Sequence, residues 1–375
     1  MADNSKMTRP LSDFSRPLLD WYDAYHRVLP WREEPTPYRV WVSEIMLQQT
    51  RVEAVKPYFA RFMQELPTVE ALAECPPEHL NKLWEGLGYY SRVRNMQKAA
   101  QVICSTYGGE IPASVDALLA LPGIGSYTAG AIASFAYGVP APAVDGNVLR
   151  VLARVRSDKR NILDPRVKRE YEELLSSVIP SDRPGDYNQA LIELGATLCG
   201  PNLPPECDKC PIRDHCQGYR EGVAPSLPVR EKKKPRRKET RTVLLICDGA
   251  HVLLTRRPDT GLLAGLYEFP SFEGEMLEAD ILAYVRQLGL EPLKLTATPG
   301  AKHIFTHVEW HMTGYEVAIG DTSLPVGSTL TIDDRTYVVA DTATLESTYA
   351  IPSADSKFLA LFQVDKGSKR IKKQR

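Results

Sequence analysis

Glu44 is a carboxylic acid in a stretch of sequence that otherwise favours a buried helix. It stands at helical spacing from Val40, Trp41, Leu47 and Gln48, so one helix face carries it together with apolar neighbours. A carboxylate among apolar side chains is costly to ionise, and this raises its pKa. A carboxyl group that keeps its proton near neutral pH can act as a general acid. Taken alone, Glu44 is explained more simply as a surface glutamate in a salt bridge.

A second group of chemically suggestive residues lies between Leu121 and Asn147, a stretch that ends in Val144-Asp145-Gly146-Asn147. Gly123 and Gly125 lack a Cβ atom, so the backbone there can take a positive φ and lie against another molecule. Ser126 is predicted to be the N-cap of the following helix. Amides at such a turn and helix start point outward together, which suits a phosphate. The alternative is a plain helical hairpin with glycines at its contact.

Four of the seven cysteines crowd into one segment, at Cys199, Cys207, Cys210 and Cys216. The intervening seven, two and five residues allow the four thiolates to close around one metal centre. In a reducing cytosol such clustering indicates a metal site more than disulfides. Zinc and a [4Fe–4S] cluster both fit, and the spacing does not choose between them.

Length and composition bound the other possibilities. A chain of 375 residues should hold two or three domains, and its 43% hydrophobic content is enough for buried cores. The formal net charge of −1 excludes a global basic excess, so any DNA contact must come from local patches and backbone amides. The N-terminus shows no apolar signal region, and no run of about 18 apolar residues occurs. Neither export nor a membrane span is expected.

Helical patterns fill most of residues 8–221 and must position these groups. The Thr36-Pro37 pair predicts an N-cap and first turn for a helix that carries Glu44 and runs to about Ala54. Residues 84–92 are predicted to be a loop whose tyrosines either face a base or cover the core. Further helices are predicted at 11–28, 57–65, 77–83, 93–107, 147–156, 165–178 and 188–195.

The pattern changes to strands from residue 242, where an α+β module is predicted over 242–365. Residues 222–241 are predicted to be a basic linker and 366–375 a basic disordered tail. Strands are predicted at 242–247, 252–255, 304–317 and 336–340, and helices at 277–288 and 353–362. His303, His307 and His311 lie four apart, which on a helix would suggest metal binding. The alternating neighbours favour a strand with solvated or DNA-facing histidines.

Together these motifs resemble the helix–hairpin–helix DNA glycosylases that carry an iron–sulfur cluster. More narrowly, the stretches 29–32 (LPWR), 43–50 (SEIMLQQT) and 84–90 (WEGLGYY) resemble the MutY family of adenine DNA glycosylases. The resemblance covers nearly the whole chain, with its motifs in the same order. It implies a multidomain fold: an all-α core, with a six-helix domain at about 30–142 and a cluster domain from the N-terminal helix plus 143–221, and then an α+β Nudix-like domain.

The resemblance implies a monofunctional enzyme of base excision repair. Such an enzyme hydrolyses the N-glycosidic bond of adenine mispaired with 8-oxoguanine, or with guanine, after flipping the adenine out of double-stranded DNA. Glu44 would be the general acid and Asp145 would stabilise the cationic sugar. Asn147 would orient the site and Tyr127 would border it. The related endonuclease III enzymes have a nucleophilic lysine at the position of Tyr127, so efficient lyase activity is not expected.

The resemblance also assigns binding positions and partners. The positions that match adenine-binding residues are Trp31, Arg32, Leu47 and Gln189. The positions that match residues contacting 8-oxoguanine or DNA are Gln49, Thr50, Leu87, Tyr89, Gly123, Gly125, Thr306 and His307. The four clustered cysteines would hold a [4Fe–4S] cluster. The implied protein is a monomer with a double-stranded DNA partner and no membrane partner, in a bacterial cytoplasm and associated with the nucleoid.

The chain departs from the family pattern in three places. Thr306 stands where the lesion-reading domain has serine in a Phe-Ser-His motif. No R-E-x-x-E-E run follows Gly274, so the Nudix-like module is expected to recognise a lesion instead of hydrolysing nucleotides. The loop between the first two cysteines has seven residues instead of six, and none is basic, whereas this loop commonly offers lysine or arginine to DNA in the family.

Other functions fit parts of the pattern. An endonuclease III-like glycosylase of different base specificity is the main alternative. A non-catalytic DNA-damage sensor, or a cluster-based electron carrier, would require Glu44 and Asp145 to be structural. A Nudix-type hydrolase with a DNA-binding arm is disfavoured by the missing metal-binding run.

Overall fold

The structure is a computed structural model that describes residues 11–201, 204–231, 235–321, 324–332 and 335–362, with side chains from residue 13 onward. It divides into two units, which are Met1–Cys75 with Asn95–Lys233, and Pro76–Arg94 with Lys234–Arg375. The predicted tail at 366–375 and positions 232–234 of the predicted linker lie outside the described residues. In the described ranges, no helix is both long enough and apolar enough to cross a membrane.

Helices form nearly all of the regular structure up to residue 220. Most begin at ordinary start signals, such as Thr36, whose side chain accepts a hydrogen bond from the Arg39 amide at 3.3 Å ahead of Pro37. In chain order the helices are α1 (Ser15–Tyr25), α2 (Pro30–Glu33), α3 (Pro37–Leu47), α4 (Val52–Glu65), α5 (Val69–Glu74), α6 (Pro77–Leu83), α7 (Ser91–Tyr107), α8 (Val115–Leu119), α9 (Ser126–Tyr137), α10 (Gly146–Val155), α11 (Pro165–Ser176), α12 (Pro184–Ala196) and α13 (Gln217–Arg220).

At the end of α3 and the start of α9, the predicted helix boundaries were wrong. The helix expected from Thr36 to about Ala54 ends at Leu47, because Gln49 has φ 59 and a left-handed residue cannot continue a right-handed helix. Ser126 is the first residue of α9 instead of its N-cap, since Gly125 takes the cap position. The Ser126 hydroxyl therefore bonds elsewhere, donating to a carboxylate oxygen of Glu172 at 2.7 Å.

Close helix packing places the segment that precedes Asp145. A Cβ atom added to Gly130 of α9 would lie 1.9 Å from the carbonyl oxygen of Pro142, so only glycine allows this approach. Asn188 of α12 reinforces the contact from the other side. Its side chain accepts a hydrogen bond from the Ala143 amide at 3.1 Å and donates one to the Ala141 carbonyl at 2.8 Å. The backbone leading to Asp145 is thus fixed by α9 and α12.

The second unit is built on a mixed sheet with apolar clusters on both faces. The strand order is β5-β6-β1-β2-β8-β7, with β3 paired to β2 and β4 paired to β1. The pairing of β1 with β6 is parallel, and the other pairings are antiparallel. The elements are β1 (Arg237–Cys247), β2 (His251–Arg256), β3 (Tyr267–Glu268), β4 (Ser271–Glu273), α14 (Glu278–Gln287), β5 (Pro292–Ile304), β6 (Val308–Ile319), β7 (Thr329–Ile332), β8 (Arg335–Asp341), α15 (Thr342–Ser347) and helical turns over 356–362. The predicted α+β module is confirmed.

The strand predicted over 304–317 is in fact the end of β5, a turn at 305–307, and most of β6. The turn closes through the Phe305 amide, which donates to the Val308 carbonyl at 2.8 Å. Most of β5 is exposed or half-buried, so its sequence shows no apolar alternation and it escaped prediction. His303 and His311 lie on these neighbouring strands, opposite Trp310 and Lys302.

Candidate active site

A cavity of about 740 Å³ in the first unit brings together side chains from distant parts of the sequence. Its wall draws on α2, α3, the residues after α3, the start of α9, the start of α10 and α12. The predicted site residues that line it are Trp31, Arg32, Glu44, Leu47, Gln49, Thr50, Gly123, Gly125, Tyr127, Asp145, Asn147 and Gln189. The break after Leu47 is what turns Gln49 and Thr50 toward this cavity.

Glu44 is buried in α3, with 6% of its surface exposed. The Tyr127 hydroxyl, at the start of α9, donates a hydrogen bond to its Oε2 atom. Burial and the negative charge of Asp145 raise the pKa of Glu44, whereas the Tyr127 hydrogen bond and the Arg32 charge lower it, and the resulting pKa is about 7. The carboxyl group therefore retains a proton near neutral pH.

Asp145 is the N-cap of α10 and uses both carboxylate oxygens. Its Oδ1 accepts hydrogen bonds from the amides of Asn147 and Val148, each at 2.8 Å, and its Oδ2 accepts one from the Asn147 side chain at 2.6 Å. Burial raises the pKa of Asp145, whereas these hydrogen bonds lower it. An aspartate just before an apolar helical run is a typical N-cap signal. The sequence therefore contained evidence for the capping role of Asp145, but this role was not predicted.

Arg150, one turn further along α10, holds Asn147 in place. Its Nη2 donates to the Asn147 side-chain oxygen at 2.8 Å and to the Gly195 carbonyl at 2.6 Å, and its Nε donates to the Cys199 carbonyl at 2.8 Å. A Cβ atom at Gly195 would lie 2.7 Å from the Cβ of Asn147, so α12 and α10 meet here without room for a side chain. Arg150 thus ties Asn147 to the beginning of the cysteine segment.

The four predicted metal ligands, Cys199, Cys207, Cys210 and Cys216, line one small cavity of about 20 Å³. Arg154 of α10 donates to the Cys199 carbonyl at 2.9 Å and to its Sγ at 3.2 Å, and also binds the carbonyls of Ala224 and Leu227 at 2.9 Å each. Within the described ranges, no group of three histidine, cysteine or acidic side chains is arranged to hold a metal ion.

A buried ion-pair network on the opposite wall was not predicted. Glu193 of α12 is fully buried and accepts hydrogen bonds from the guanidinium of Arg27 at 2.6 and 3.0 Å and from Arg32 at 2.9 Å. Both arginines line the cavity, so Glu193 sets the direction of two cationic groups there. The sequence signal for this network is a glutamate inside the apolar run ALIELGA. An acid among apolar residues is also the pattern that singled out Glu44.

Lys168 of α11 also lines the cavity and was not predicted. Its ammonium group donates to the Ser126 hydroxyl at 3.0 Å and forms an ion pair with Glu172 at 3.4 Å. The lysine is therefore held beside the glycine turn by two partners.

The other predicted site residues, Leu87, Tyr89, Thr306 and His307, lie in the second unit. Leu87 is buried, whereas Tyr89 is 47% exposed and has φ 47. The Tyr89 hydroxyl lies 3.0 Å from the Thr306 hydroxyl, within hydrogen-bonding distance, and Thr306 and His307 form the exposed turn between β5 and β6.

Comparison with known proteins gives matches over both units. Residues 42–177 match the HhH-GPD superfamily of base excision DNA repair proteins, and residues 242–361 match the NUDIX domain. In structure, the chain is similar to a thermostable thymine-DNA glycosylase, with 27% sequence identity and a TM-score of 0.50 over 56% of this chain and 96% of the other.

Three curated relatives share the name adenine DNA glycosylase. The protein from Rattus norvegicus is 34% identical over 88% of this chain and 76% of its own length. The one from Homo sapiens is 34% identical over 90% of this chain and 73% of its own length. The one from Buchnera aphidicola subsp. Baizongia pistaciae is 32% identical over 83% of this chain and 88% of its own length.

The raised pKa of Glu44 predicts a specific dependence of stability on pH. Between its unfolded value of 4.5 and its folded value of about 7, the folded protein holds a proton that the unfolded chain releases, so stability falls as the pH rises through this window. We expect the free energy of unfolding of the wild type to drop by about 3 kcal/mol more than that of Glu44→Gln across it. Urea unfolding of both proteins at several pH values measures the difference. If stability depends on pH equally in the wild type and in Glu44→Gln, the prediction is wrong. The control is Glu53→Gln, which changes an exposed glutamate.

The hydrogen bonds of Arg154 predict a structural role between α10 and the cysteine segment. Arg154→Met leaves buried carbonyl groups without a donor, so we expect a loss of about 3 kcal/mol in the free energy of unfolding. The matched control is Arg156→Met at the exposed end of the same helix, for which a change below about 0.5 kcal/mol is expected. Equal losses in both variants, measured by thermal and urea unfolding, would contradict this role.

Proposed function

The chain belongs to the adenine DNA glycosylase family of the HhH-GPD superfamily, a family of base excision repair enzymes, and from this premise we propose that it releases adenine paired with 8-oxoguanine from double-stranded DNA. The observation that carries the proposal is the meeting of two carboxyl groups, the buried Glu44 and the half-buried Asp145, in one cavity. Two carboxyl groups with different tasks are the usual equipment for hydrolysing a glycosidic bond.

The cavity supports a mechanism in which the adenine leaves the base stack. Its volume of about 740 Å³ lies in the range of sites that enclose small molecules, so a flipped nucleotide can enter it. Trp31 and Leu47 offer apolar contact for the base, and Arg32 and Gln189 offer hydrogen bonds. Gly123 and Gly125 present backbone amides at the cavity edge for the phosphates on either side.

Glu44 is proposed to protonate the departing adenine at N7, so that the base leaves without negative charge. Since the Tyr127 hydroxyl donates to Oε2 of Glu44, the other carboxyl oxygen carries the proton for transfer. A pKa of about 7 keeps a large fraction of the carboxyl groups protonated at physiological pH and makes proton release easy.

Asp145 is proposed to stabilise the cationic sugar that remains after the base departs. Its two carboxylate oxygens are oriented by the Asn147 side chain and two backbone amides, so its position does not change during the reaction. The positive charge that develops on the sugar favours ionised Asp145 and offsets the cost of its burial. Asn147 is in turn oriented by Arg150.

A monofunctional reaction follows from the residues around the sugar. Tyr127 cannot form a Schiff base with the sugar aldehyde. Lys168 is present at the cavity wall, but Ser126 and Glu172 hold its ammonium group. We therefore propose base removal without efficient strand cleavage.

Reading of 8-oxoguanine is proposed for Gln49 and Thr50 in the first unit and for Leu87, Tyr89, Thr306 and His307 in the second. The Nudix-like module is proposed to recognise the lesion, since its sequence has no R-E-x-x-E-E run after Gly274. A monomeric state and a nucleoid-associated location in a bacterial cytoplasm stay predictions.

A [4Fe–4S] cluster is proposed as the group held by Cys199, Cys207, Cys210 and Cys216. These thiols line one cavity, and a cluster of several atoms needs ligands around a space, whereas a single zinc ion needs them within about 2.3 Å of one point. Arg154 donates a hydrogen bond to the Cys199 sulfur at 3.2 Å, so the cysteine segment contacts α10 directly at this proposed ligand. When bound, the cluster would fix the segment that Arg150 and Arg154 connect to α10.

The central experiment measures base release from duplexes with adenine opposite 8-oxoguanine, guanine or thymine, each scored with and without alkali. Fastest release opposite 8-oxoguanine, with strand breaks only after alkali, is expected. Glu44→Gln should bind the 8-oxoguanine duplex like the wild type but lose adenine release by at least about a hundredfold, because it has no proton to donate. Normal cleavage by Glu44→Gln would show that the acid is assigned wrongly. In the wild type, release should slow as the pH rises above about 7.

The cluster proposal is tested by metal analysis of the purified protein. Iron and inorganic sulfide near four each per chain, with a brown colour, are expected for a [4Fe–4S] cluster. Cys207→Ser should lose most of the iron, whereas Cys104→Ser, which changes a cysteine outside the segment, should keep it. One zinc per chain and a colourless protein would contradict the cluster.

A further inference from the structure

Residues 76–94 lie within the matched HhH-GPD region, yet they pack into the second unit with the Nudix-like module. This segment contains α6, the loop 84–90 and the first turn of α7. The loop carries Leu87 and Tyr89, which the proposed function assigns to reading the lesion. What holds this loop in place is therefore a question about specificity.

Lys82, in the last turn of α6, contacts the α15 region of the module through several bonds. Its ammonium group donates to the carbonyl oxygens of Leu345 at 2.7 Å and Tyr349 at 3.3 Å, and forms an ion pair with Glu85 at 2.5 Å. Leu345 is in the last turn of α15, where carbonyl groups have no partner within the helix. A lysine beside such a helix end satisfies the carbonyl and is favoured by the helix dipole.

Glu85 completes the contact with its second carboxylate oxygen. Its Oε2 pairs with Lys82, while its Oε1 accepts a hydrogen bond from the Ile351 amide at 2.6 Å. The Lys82 side chain is 13% exposed and that of Glu85 is 28% exposed, so water competes only weakly for these groups. Lys82 and Glu85 together bind three backbone groups within residues 345–351.

The receiving segment is itself fixed in the sheet. The Tyr267 amide of β3 donates to the Ala350 carbonyl at 3.1 Å, and the rings of Tyr267 and Tyr349 are 4.7 Å apart. Near the start of α7, Arg94 donates to the Ala264 carbonyl at 2.5 Å. Lys82 and Glu85 on one side of the loop tip, and Arg94 on the other, thus contact the module.

Between these anchors the loop has a conformation that needs support. Gly86, Gly88 and Tyr89 have φ values of 98, 67 and 47, so a non-glycine residue is held in the left-handed region. Inside the loop, the Trp84 indole donates to the Gly88 carbonyl at 3.1 Å, and Arg92 donates to the carbonyls of Leu87 and Gly88 at 3.0 Å each. At the tip, the Tyr89 hydroxyl meets that of Thr306 at 3.0 Å.

We propose that Lys82 and Glu85 are positioning residues for 8-oxoguanine recognition, because they hold the loop 84–90 against residues 345–351 of the Nudix-like module. This inference rests on the proposed function, because it assumes that the protein distinguishes 8-oxoguanine from guanine opposite adenine. Neither residue lines the cavity with Glu44 and Asp145, so both act on lesion reading and not on base release itself.

The test compares the full-length wild type with Lys82→Met, Glu85→Gln and the double variant. Single-turnover adenine release is measured with adenine opposite 8-oxoguanine and opposite guanine. We expect the preference for 8-oxoguanine to fall about tenfold in each single variant, with release opposite guanine as in the wild type. The double variant should be no worse than the singles, because the two residues act as one unit. Lys82→Arg keeps a charged donor and should restore most of the preference.

Amide hydrogen exchange gives a readout that does not depend on activity. In Lys82→Met and Glu85→Gln, the amides of residues 84–90 should exchange about tenfold faster, while α3 and α10 remain protected. The control is Lys56→Met, which breaks another ion pair at i,i+3 spacing, with Glu53 on α4, and should change neither exchange at 84–90 nor the preference.

Two results would overturn the proposal. One is unchanged exchange at 84–90 in both single variants. The other is an equal fall of adenine release opposite 8-oxoguanine and guanine, which indicates general destabilisation. If the wild type itself treats both pairs alike, the lesion-reading part of the proposed function fails, and the exchange measurement alone decides whether Lys82 and Glu85 hold the loop.

Discussion

The burial of the Glu44 carboxyl group is the constraint on which the candidate active site depends. Solvation would return this group to an ordinary acid, so the surrounding structure must exclude water while leaving room for a base. Apolar residues of α3 and the Tyr127 ring at the start of α9 do this on one side. The negative charge of the second carboxyl group, Asp145, raises the pKa of Glu44 as well, and the Arg32 charge opposes this effect.

Much of the site was predictable, because its residues have types and spacings that are unusual for a purely structural helix or turn. Glu44 stood out as an acid in an apolar helix, and the glycines at 123 and 125 marked the turn before α9. The same rule applied to Glu193 would have found the buried network with Arg27 and Arg32. An acid in an apolar helix gives the same sequence signal whether its carboxylate is paired with two arginines, as in Glu193, or accepts a tyrosine hydrogen bond, as in Glu44. Only the structure shows whether the partners are present.

The parts that escaped prediction depend on long-range contacts. The end of α3 is set by the left-handed Gln49, which no local breaker residue announces. The strand β5 exists because β6 pairs with it, although its own side chains are mostly exposed. Residues 76–94 contact the rest of the second unit through Lys82 and Glu85, among others, and the partners of these two residues lie more than 260 positions away in sequence. Periodicity within a short window contains no information about such partners.

The contact at Gly195 has a consequence for engineering new base specificities. Where α12 crosses α10, backbone touches side chain directly, and any larger residue displaces Asn147 and with it the orientation of Asp145. The part of the wall formed by this crossing cannot be enlarged by substitution. Leu47 and Gln189 border the same cavity through side chains that do not bind the carboxyl groups. A mutant library that seeks to accept a different purine should therefore vary these two positions and leave the helix crossing untouched.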